Sequence, residues 1–353
     1  MFSESFKIGN KSVGKNEKAM IVAELSGNHN GDYNRAIEII HAAAEAGADA
    51  VKLQTYTADT ITIDCNKPWF MTSEGSLWEG RTLYDLYKEA YTPWEWHEGL
   101  IKEANKLGME CFSSPFDPTA VDYLENIGIE AYKIASFEAV DIPLVRYIAS
   151  KHKPIIMSVG MATEEEIREA LDAIHSQGND QVAILKCCNV YPTVSSDLNL
   201  KTIPDMIQKF NVPVGLSDHS MGYAAAVGAA ALGARVIEKH FCISREYKTA
   251  DSAFSMEPSE YKSMVENVRA VTTALGTIHY GPTDNELSSG EYGDRRSLFA
   301  VEDIKEGEEI TTVNVRSIRP NAGLKPKYLD DILGKKAKAD IKRGTPMAFE
   351  LIE

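Results

Sequence analysis

The sequence predicts an α/β chain in which a (β/α)8 TIM barrel precedes a small all-β domain. Three observations lead there. Eight short apolar runs recur along the first part of the chain, at 20–25, 50–55, 110–115, 131–136, 154–159, 182–187, 213–218 and 236–241, and each leads into a helical pattern. The runs are rich in Val, Ile and Leu, as strands buried on both faces are. Eight such units fill about 250 residues, the usual size of a closed barrel. After Gly276 the pattern gives way to a polar, Gly- and Ser-rich stretch and then to β-type runs. A doubly wound open sheet is the alternative, because periodicity alone does not prove closure.

In chain order, FKIGNKSVG reads as a short hairpin with Gly-Asn at its turn, placed to plug the barrel floor. The segment NRAIEIIHAAAEAG puts Ile37, Ile40 and Ala44 on one helical face and stops at Gly47. Between the second strand and its helix, residues 56–92 form an insertion far longer than an ordinary βα loop, carrying Trp69 and Trp78. Such an insertion reads as a lid, a specificity element or an oligomer contact. The eighth helix shows a stripe of Tyr261, Met264, Val265, Val268, Val271 and Leu275. The expected division is a barrel domain with its hairpin over 1–280, a linker over 281–296 and a small β domain over 297–353, with strands in SLFAV, EEITTVNVRSI and MAFELI. A domain that small is marginal alone and is expected to pack on something, a partner subunit included.

Composition narrows the function. A net charge of -15 over 353 residues argues against nucleic acid or an anionic membrane as partner. No apolar run is long enough for a transmembrane helix. The N-terminal stretch is polar, without the apolar core of a signal peptide. The five cysteines are odd in number and form no CxxC, which suits reduced thiols in the cytoplasm. An anionic substrate would have to be held by locally placed lysines.

The carboxyl ends of barrel strands are where such folds place their chemistry. Here they carry Glu24, Lys52, Gln54, Lys133, Ser136, Glu138, Ser158, Asn189, Tyr191, Ser217, His219, Glu238 and His240. Lysine and glutamate are rarely buried without a purpose or a partner. Two lysines with several hydroxyls make a phosphate-sized anion site. Alternation puts Lys52 with Gln54, and Glu238 with His240, on one face. PVGLSDH and VIEKHF each end in a histidine and are separated by a helix-length spacer, so His219 and His240 emerge side by side. Neutral imidazoles so placed suit a metal ion. The plainer alternatives are two unrelated structural histidines, and buried ion pairs of Lys52 and Lys133 with Glu24 and Glu138.

These strand-end motifs resemble those of the nonulosonate (sialic-acid-type) sugar synthase family. The matching pieces include AELSGNHNGDYNRA, AGADAVKLQTY, SSPFD, AYKIAS, SVGMAT, NVYPT, GLSDHS, IEKHF and DSAFSMEP, and RRSLFAVEDIKEGEEIT resembles the family's antifreeze-like (SAF) domain. The resemblance implies condensation of phosphoenolpyruvate with an amino sugar and release of phosphate. LWEGRTLYDLYKEAYTPWEWH, Ser136-Phe137-Glu138 and LSGNHN are similar to the pseudaminic acid branch, which implies a diacetamido trideoxy sugar. N-acetylneuraminate or legionaminate synthesis is the alternative within the family. By resemblance, Lys52, Lys133, Ser136, Ser158, Asn189 and Ser217 match the phosphoenolpyruvate site. His219 and His240 match ligands of a divalent metal, manganese first, with magnesium or cobalt as substitutes. Glu24, Gln54, Glu138, Tyr191 and Asp251 match positions around the sugar and the reacting carbons. Arg319 matches an arginine that reaches a partner subunit's site in a homodimer. Outside the family, a Schiff-base aldolase using Lys133 or Lys186 and a non-catalytic carbohydrate-binding protein are the competing classes.

Overall fold

A computed structural model describes residues 2–353. The chain divides into two compact units, Met1–Gly276 and Thr277–Glu353. The first opens on an antiparallel hairpin of β1 (Ser5–Ile8) and β2 (Lys11–Gly14). Gly9 turns it at φ 53°, and a Cβ there would sit 2.1 Å from the Glu110 carboxylate and push it off the Asn10 N–H that it accepts. Eight parallel strands then close into a barrel: β3 (Met20–Glu24), β4 (Ala50–Thr55), β5 (Glu110–Pro115), β6 (Tyr132–Ile134), β7 (Ile155–Ser158), β8 (Val182–Cys187), β9 (Val214–Asp218) and β10 (Val236–His240). Closure comes from β10 pairing with β3, Val236 opposite Met20 through His240 opposite Glu24. The open sheet is thereby excluded.

Alternation along the strands builds two cores. Side chains facing outward, such as Ile21, Leu53, Ile134, Ile184 and Ile237, pack under the surrounding helices. Those facing inward at the lower end, Met20, Val22, Phe112, Ile156 and Leu185 among them, pack with Phe6, Ile8 and Val13 of the hairpin. The hairpin is thus the stopper of the barrel floor. Each fully buried aliphatic or aromatic side chain there contributes about 1.5–3 kcal/mol.

A helix follows each strand. The first, Tyr33–Glu45, starts at Asp32, whose carboxylate accepts the Asn34 and Arg35 N–H groups. It buries Ala36, Ile39, Ile40 and Ala43, a stripe shifted from the expected Ile37, Ile40 and Ala44. Alanines on both flanks made the two registers equally apolar in sequence. The eighth, Pro258–Ala274, buries Tyr261, Met264, Val265 and Val268, while Leu275 is exposed. The long insertion after β4 holds two helices, Ala58–Ile61 and Leu83–Ala90.

The second unit has its own small core, including Leu298, Ile304, Ile310, Val315, Ile332 and Met347. Its sheet has two strands, β11 (Ser297–Ala300) and β12 (Val315–Ile318). MAFELI, expected as a strand, instead holds a 3-10 turn at Phe349–Leu351 and forms a single isolated bridge, Ile352 with Ala337. EEITTVNVRSI is strand only at its end. Asn314 accepts the Thr311 N–H and donates to the Glu309 carbonyl, folding the preceding residues into a turn. The stretch expected as linker carries a helix, Asp284–Ser288, with Thr283 as its cap. Among the described residues no helix is long and apolar enough to cross a membrane.

Candidate active site

The upper mouth of the barrel opens into a cavity of about 780 Å³, and its lining includes the inward-facing strand ends and the insertion after β4. That size suits a small-molecule substrate pair. Lys52, Gln54, Lys133, Ser136, Glu138, Ser158, Asn189, Tyr191, Ser217, His219, His240 and Asp251 all line it. Glu24, expected among the reacting groups, lies behind Lys52 and does not line the cavity. Arg319 is exposed in the second unit, just after β12, outside the unit that holds the other candidates. Lys186 and Lys239, also at strand ends, face outward: Lys186 Nζ donates to the Cys187 carbonyl, and Lys239 pairs with Asp218 at 2.8 Å. The period-two alternation of a strand separates the two sets.

At the bottom of the cavity lies a cluster of buried charges. Lys52 Nζ is 2.5 Å from Glu24 Oε2 and 3.4 Å from Glu238 Oε1. Lys133 Nζ is 3.6 Å from the same Glu238 oxygen and donates to Ser158 Oγ at 2.7 Å. Ser217 Oγ donates to Glu238 Oε1 at 3.2 Å. The lysines are therefore paired with Glu24 and Glu238, not with Glu24 and Glu138. Burial works against ionising Glu238, but Lys133, Lys52 and His219 together hold it below its ordinary value. Burial pulls Lys52 down to about 8, against the attraction of Glu238 and with the help of Lys133. Two carboxylates match two ammonium groups, so an incoming anion is held by aimed donors more than by net charge.

Those donors are present. Asn189 Nδ2 is buried without a partner, and Ser136 Oγ accepts the Gly160 N–H at 3.1 Å. A Cβ on Gly160 would fall 2.4 Å from Asn189 Oδ1 and 2.9 Å from Ser136 Oγ. Gly160 thus keeps the pocket open between them. Gly160→Ala is expected to raise the Michaelis constant for the anionic substrate at least about tenfold, roughly one hydrogen bond to a charged group. Steady-state kinetics with that substrate varied checks it; an unchanged constant removes Asn189 and Ser136 from the anion site.

Glu138 differs from the other carboxylates. It follows β6 in a short 3-10 turn and, among the described residues, makes no ion pair and has a buried Oε2 with no partner. Burial raises it to about 7, against the opposing pull of its own backbone N–H and of Lys133. A carboxylate poised near neutral pH in a cavity is suited to proton transfer.

His219 and His240 end the loop side of β9 and β10 with ring centroids 5.4 Å apart. The Cys188 carbonyl lies 2.8 Å from His219 Nδ1, so that nitrogen carries the proton and Nε2 keeps its lone pair. His240 Nδ1 is buried with no partner. Burial lowers His219 to about 4 and lowers His240 well below its usual value, so both rings are neutral at pH 7. Two neutral imidazoles with free nitrogens fit a divalent metal. Among the described residues no group of three His, Cys, Asp or Glu side chains forms a complete protein cage. Two protein ligands leave the remaining positions to water or substrate. Tyr191 covers the pair, its ring 4.2 Å from His219.

The insertion roofs the cavity. Trp78 Nε1 donates to the Ala250 carbonyl at 2.9 Å, and its ring lies 5.9 Å from Tyr191. Sequence reading gave neither Ser26 nor Glu238 a role. Glu238 stood among the strand-end residues, and Ser26 lay within the LSGNHN motif, but a motif does not announce the backbone angle of one of its residues.

A closed parallel barrel whose mouth gathers lysines, hydroxyls, a neutral-range carboxylate and two imidazoles has the build of an enzyme for a small anionic substrate. The chain belongs to the NeuB family, whose sequence profile matches residues 39–280, and a SAF domain matches residues 295–353. It is 47% identical to the pseudaminic acid synthase of Campylobacter jejuni, over 96% of this chain and 97% of that one. It is 35% identical to the N,N'-diacetyllegionaminic acid synthase of Legionella pneumophila, over 98% of each chain. The crystal structure of N-acetylneuraminic acid synthetase from Leptospira borgpetersenii, solved with citrate, superposes with a TM-score of 0.73 at 30% identity, covering 82% of this chain and 96% of that one.

Proposed function

We propose that the chain is a transferase that condenses phosphoenolpyruvate and water with 2,4-diacetamido-2,4,6-trideoxy-altrose, giving pseudaminic acid and phosphate by C–O cleavage. The observation that carries the reaction class is the Lys52–Glu238–Lys133 cluster, lined by Ser158 and Ser217, in the same cavity as His219 and His240. The choice of sugar rests on identity to pseudaminic acid synthases and on the apolar part of the cavity, where Tyr56, Leu77, Leu86, Tyr87 and Phe116 offer a surface for the deoxy methyl and acetamido methyl groups.

Lys52 and Lys133 bind the phosphate and carboxylate of phosphoenolpyruvate, with Ser136, Ser158, Asn189 and Ser217 completing the hydrogen bonds. Its C=C pair forms a bond from the methylene carbon to the sugar aldehyde carbon, the carbonyl pair moves to oxygen, which takes up a proton to become a hydroxyl, and a cation is left at the phosphate-bearing carbon. Water adds there, and the resulting hemiketal collapses to the ketone as the C–O bond to phosphate breaks, its O–H proton leaving with the phosphate. Glu138 takes the proton from that water. Glu24 is not free to do so: Oε1 accepts Ser26 N–H and Gln54 Nε2, and Oε2 faces Lys52. A divalent cation, manganese first with magnesium or cobalt as substitutes, would be held by His219 and His240 and would supply Lewis acidity toward the aldehyde oxygen. Gln54, Tyr191 and Asp251 orient the sugar. By family resemblance the protein works in the cytoplasm as a homodimer in which Arg319 of the small unit reaches the other subunit's site.

A panel of purified amino sugars, with phosphate release as readout, tests the assignment. The altrose derivative is expected to be turned over fastest. Preference for N-acetylmannosamine or for the legionaminate precursor would move the protein to the corresponding synthesis.

A further inference from the structure

Ser26 opens the loop after β3 with φ 45°, a left-handed conformation that glycine takes freely and a Cβ makes costly. Strained non-glycine backbone persists where the side chain contributes something that outweighs it. The Ser26 hydroxyl donates to Asp251 Oδ2 at 2.5 Å and accepts from Gln54 Nε2 at 3.3 Å. The Gly27 N–H also approaches Oδ2, at 3.4 Å. Both donors engage the same oxygen, and among the described residues no protein donor reaches Oδ1. Asp251 and Gln54 both line the cavity, as does Ser26 itself.

The segment around Asp251 is held from two other sides. Thr249 Oγ1 donates to Asn28 Oδ1 at 2.6 Å, and the Ala250 carbonyl accepts from Trp78 of the lid. The loop after β3, the insertion after β4 and the loop after β10 therefore meet around the segment Thr249–Asp251, and the loop after β3 holds the carboxylate itself.

We propose that Ser26 is the positioning residue for Asp251, holding the carboxylate by Oδ2 so that Oδ1 accepts an N–H or O–H of the bound sugar, and that it thereby takes part in sugar selection. This rests on the reading that the cavity binds an amino sugar beside phosphoenolpyruvate. A glycine at position 26 would make the same turn without strain, so the hydroxyl is what the strained serine adds. The partners of its hydroxyl, Asp251 and Gln54, both line the cavity, and no hydrogen bond joins it to Lys133, Ser158 or Asn189; its backbone N–H donates to Glu24 Oε1, the carboxylate paired with Lys52.

Two variants separate this role from a structural one. In the full-length, metal-loaded enzyme, Ser26→Gly removes both strain and hydroxyl. Ser26→Ala keeps the Cβ and removes only the hydroxyl. For both, the Michaelis constant of the sugar is expected to rise about tenfold or more, as loss of an orienting charge-assisted hydrogen bond allows, with that of phosphoenolpyruvate within about twofold. The melting temperature of Ser26→Gly is expected to lie above that of Ser26→Ala, which loses the same hydroxyl but keeps the strain. A sugar constant unchanged in Ser26→Gly overturns the proposal. So does a parallel rise of both constants with a lower melting temperature, the mark of a merely structural residue. The sugar used is whichever one the wild type turns over fastest, so a different preferred sugar revises the function and leaves the Ser26 comparison intact. Failure of the wild type on every amino sugar overturns both.

Discussion

Thorough chelation is expected to lower turnover on the order of 10³-fold, and added manganese to restore it, since a Lewis acid of this kind contributes several kcal/mol to a carbonyl addition. The geometry behind this is local. His219 and His240 face each other across 5.4 Å, one ring fixed by the Cys188 carbonyl and the other left with an unpartnered buried nitrogen. His219→Ala leaves one imidazole and should not recover with manganese. Titration calorimetry gives a readout independent of turnover: about one manganese ion bound per wild-type chain, and binding weakened or lost in the variant. Full activity after exhaustive chelation would sink the metal assignment.

The second large effect belongs to Glu138. Glu138→Gln is expected to lower kcat about 10²- to 10⁴-fold, the range for loss of a general base. The pH profile supplies the sign. A base acts in its ionised form, and burial raises this carboxyl from 4.5 to about 7, so kcat/KM of the wild type should climb as pH rises through about 7. The glutamine variant should lack that limb. Stability moves the other way. A carboxyl whose folded pKa lies above its unfolded one destabilises the fold progressively between 4.5 and about 7, and fully above that. The uncharged variant should therefore melt no lower than the wild type at pH 8, which separates lost chemistry from lost folding. A wild-type profile flat from pH 5 to 8 would assign the proton transfer elsewhere.

Much of this site could be read from the sequence because parallel barrel strands obey a simple rule. Their buried runs are apolar except at the functional end, so Lys52, Lys133, Ser158, Ser217 and His240 stood out against Val, Ile and Leu. Alternation placed Lys52 with Gln54 and Glu238 with His240, and both pairs line one cavity. The hairpin was legible from its turn. What escaped depends on distance in three dimensions. Glu238 on β10 serves Lys52 of β4 and Lys133 of β6 because closure of the barrel turns the three side chains into one interior, and the sequence carries no record of those distances. The pairing of Lys52 with Glu24 was one of the alternatives the sequence offered, but choosing it over a place for Glu24 in the cavity needed the register of β3 against β4. The small unit was read least well, because short half-exposed runs such as MAFELI can pair through single bridges without becoming strands.

The hairpin at the floor has a consequence for traffic. With Phe6, Ile8 and Val13 sealing one end, the barrel is a cup and not a tunnel. Whatever reaches the lysines must enter from the mouth lined by the insertion after β4, and must leave by the same side. With one end closed, entry and exit share a single mouth, so a molecule seated nearer that mouth hinders the passage of anything held deeper.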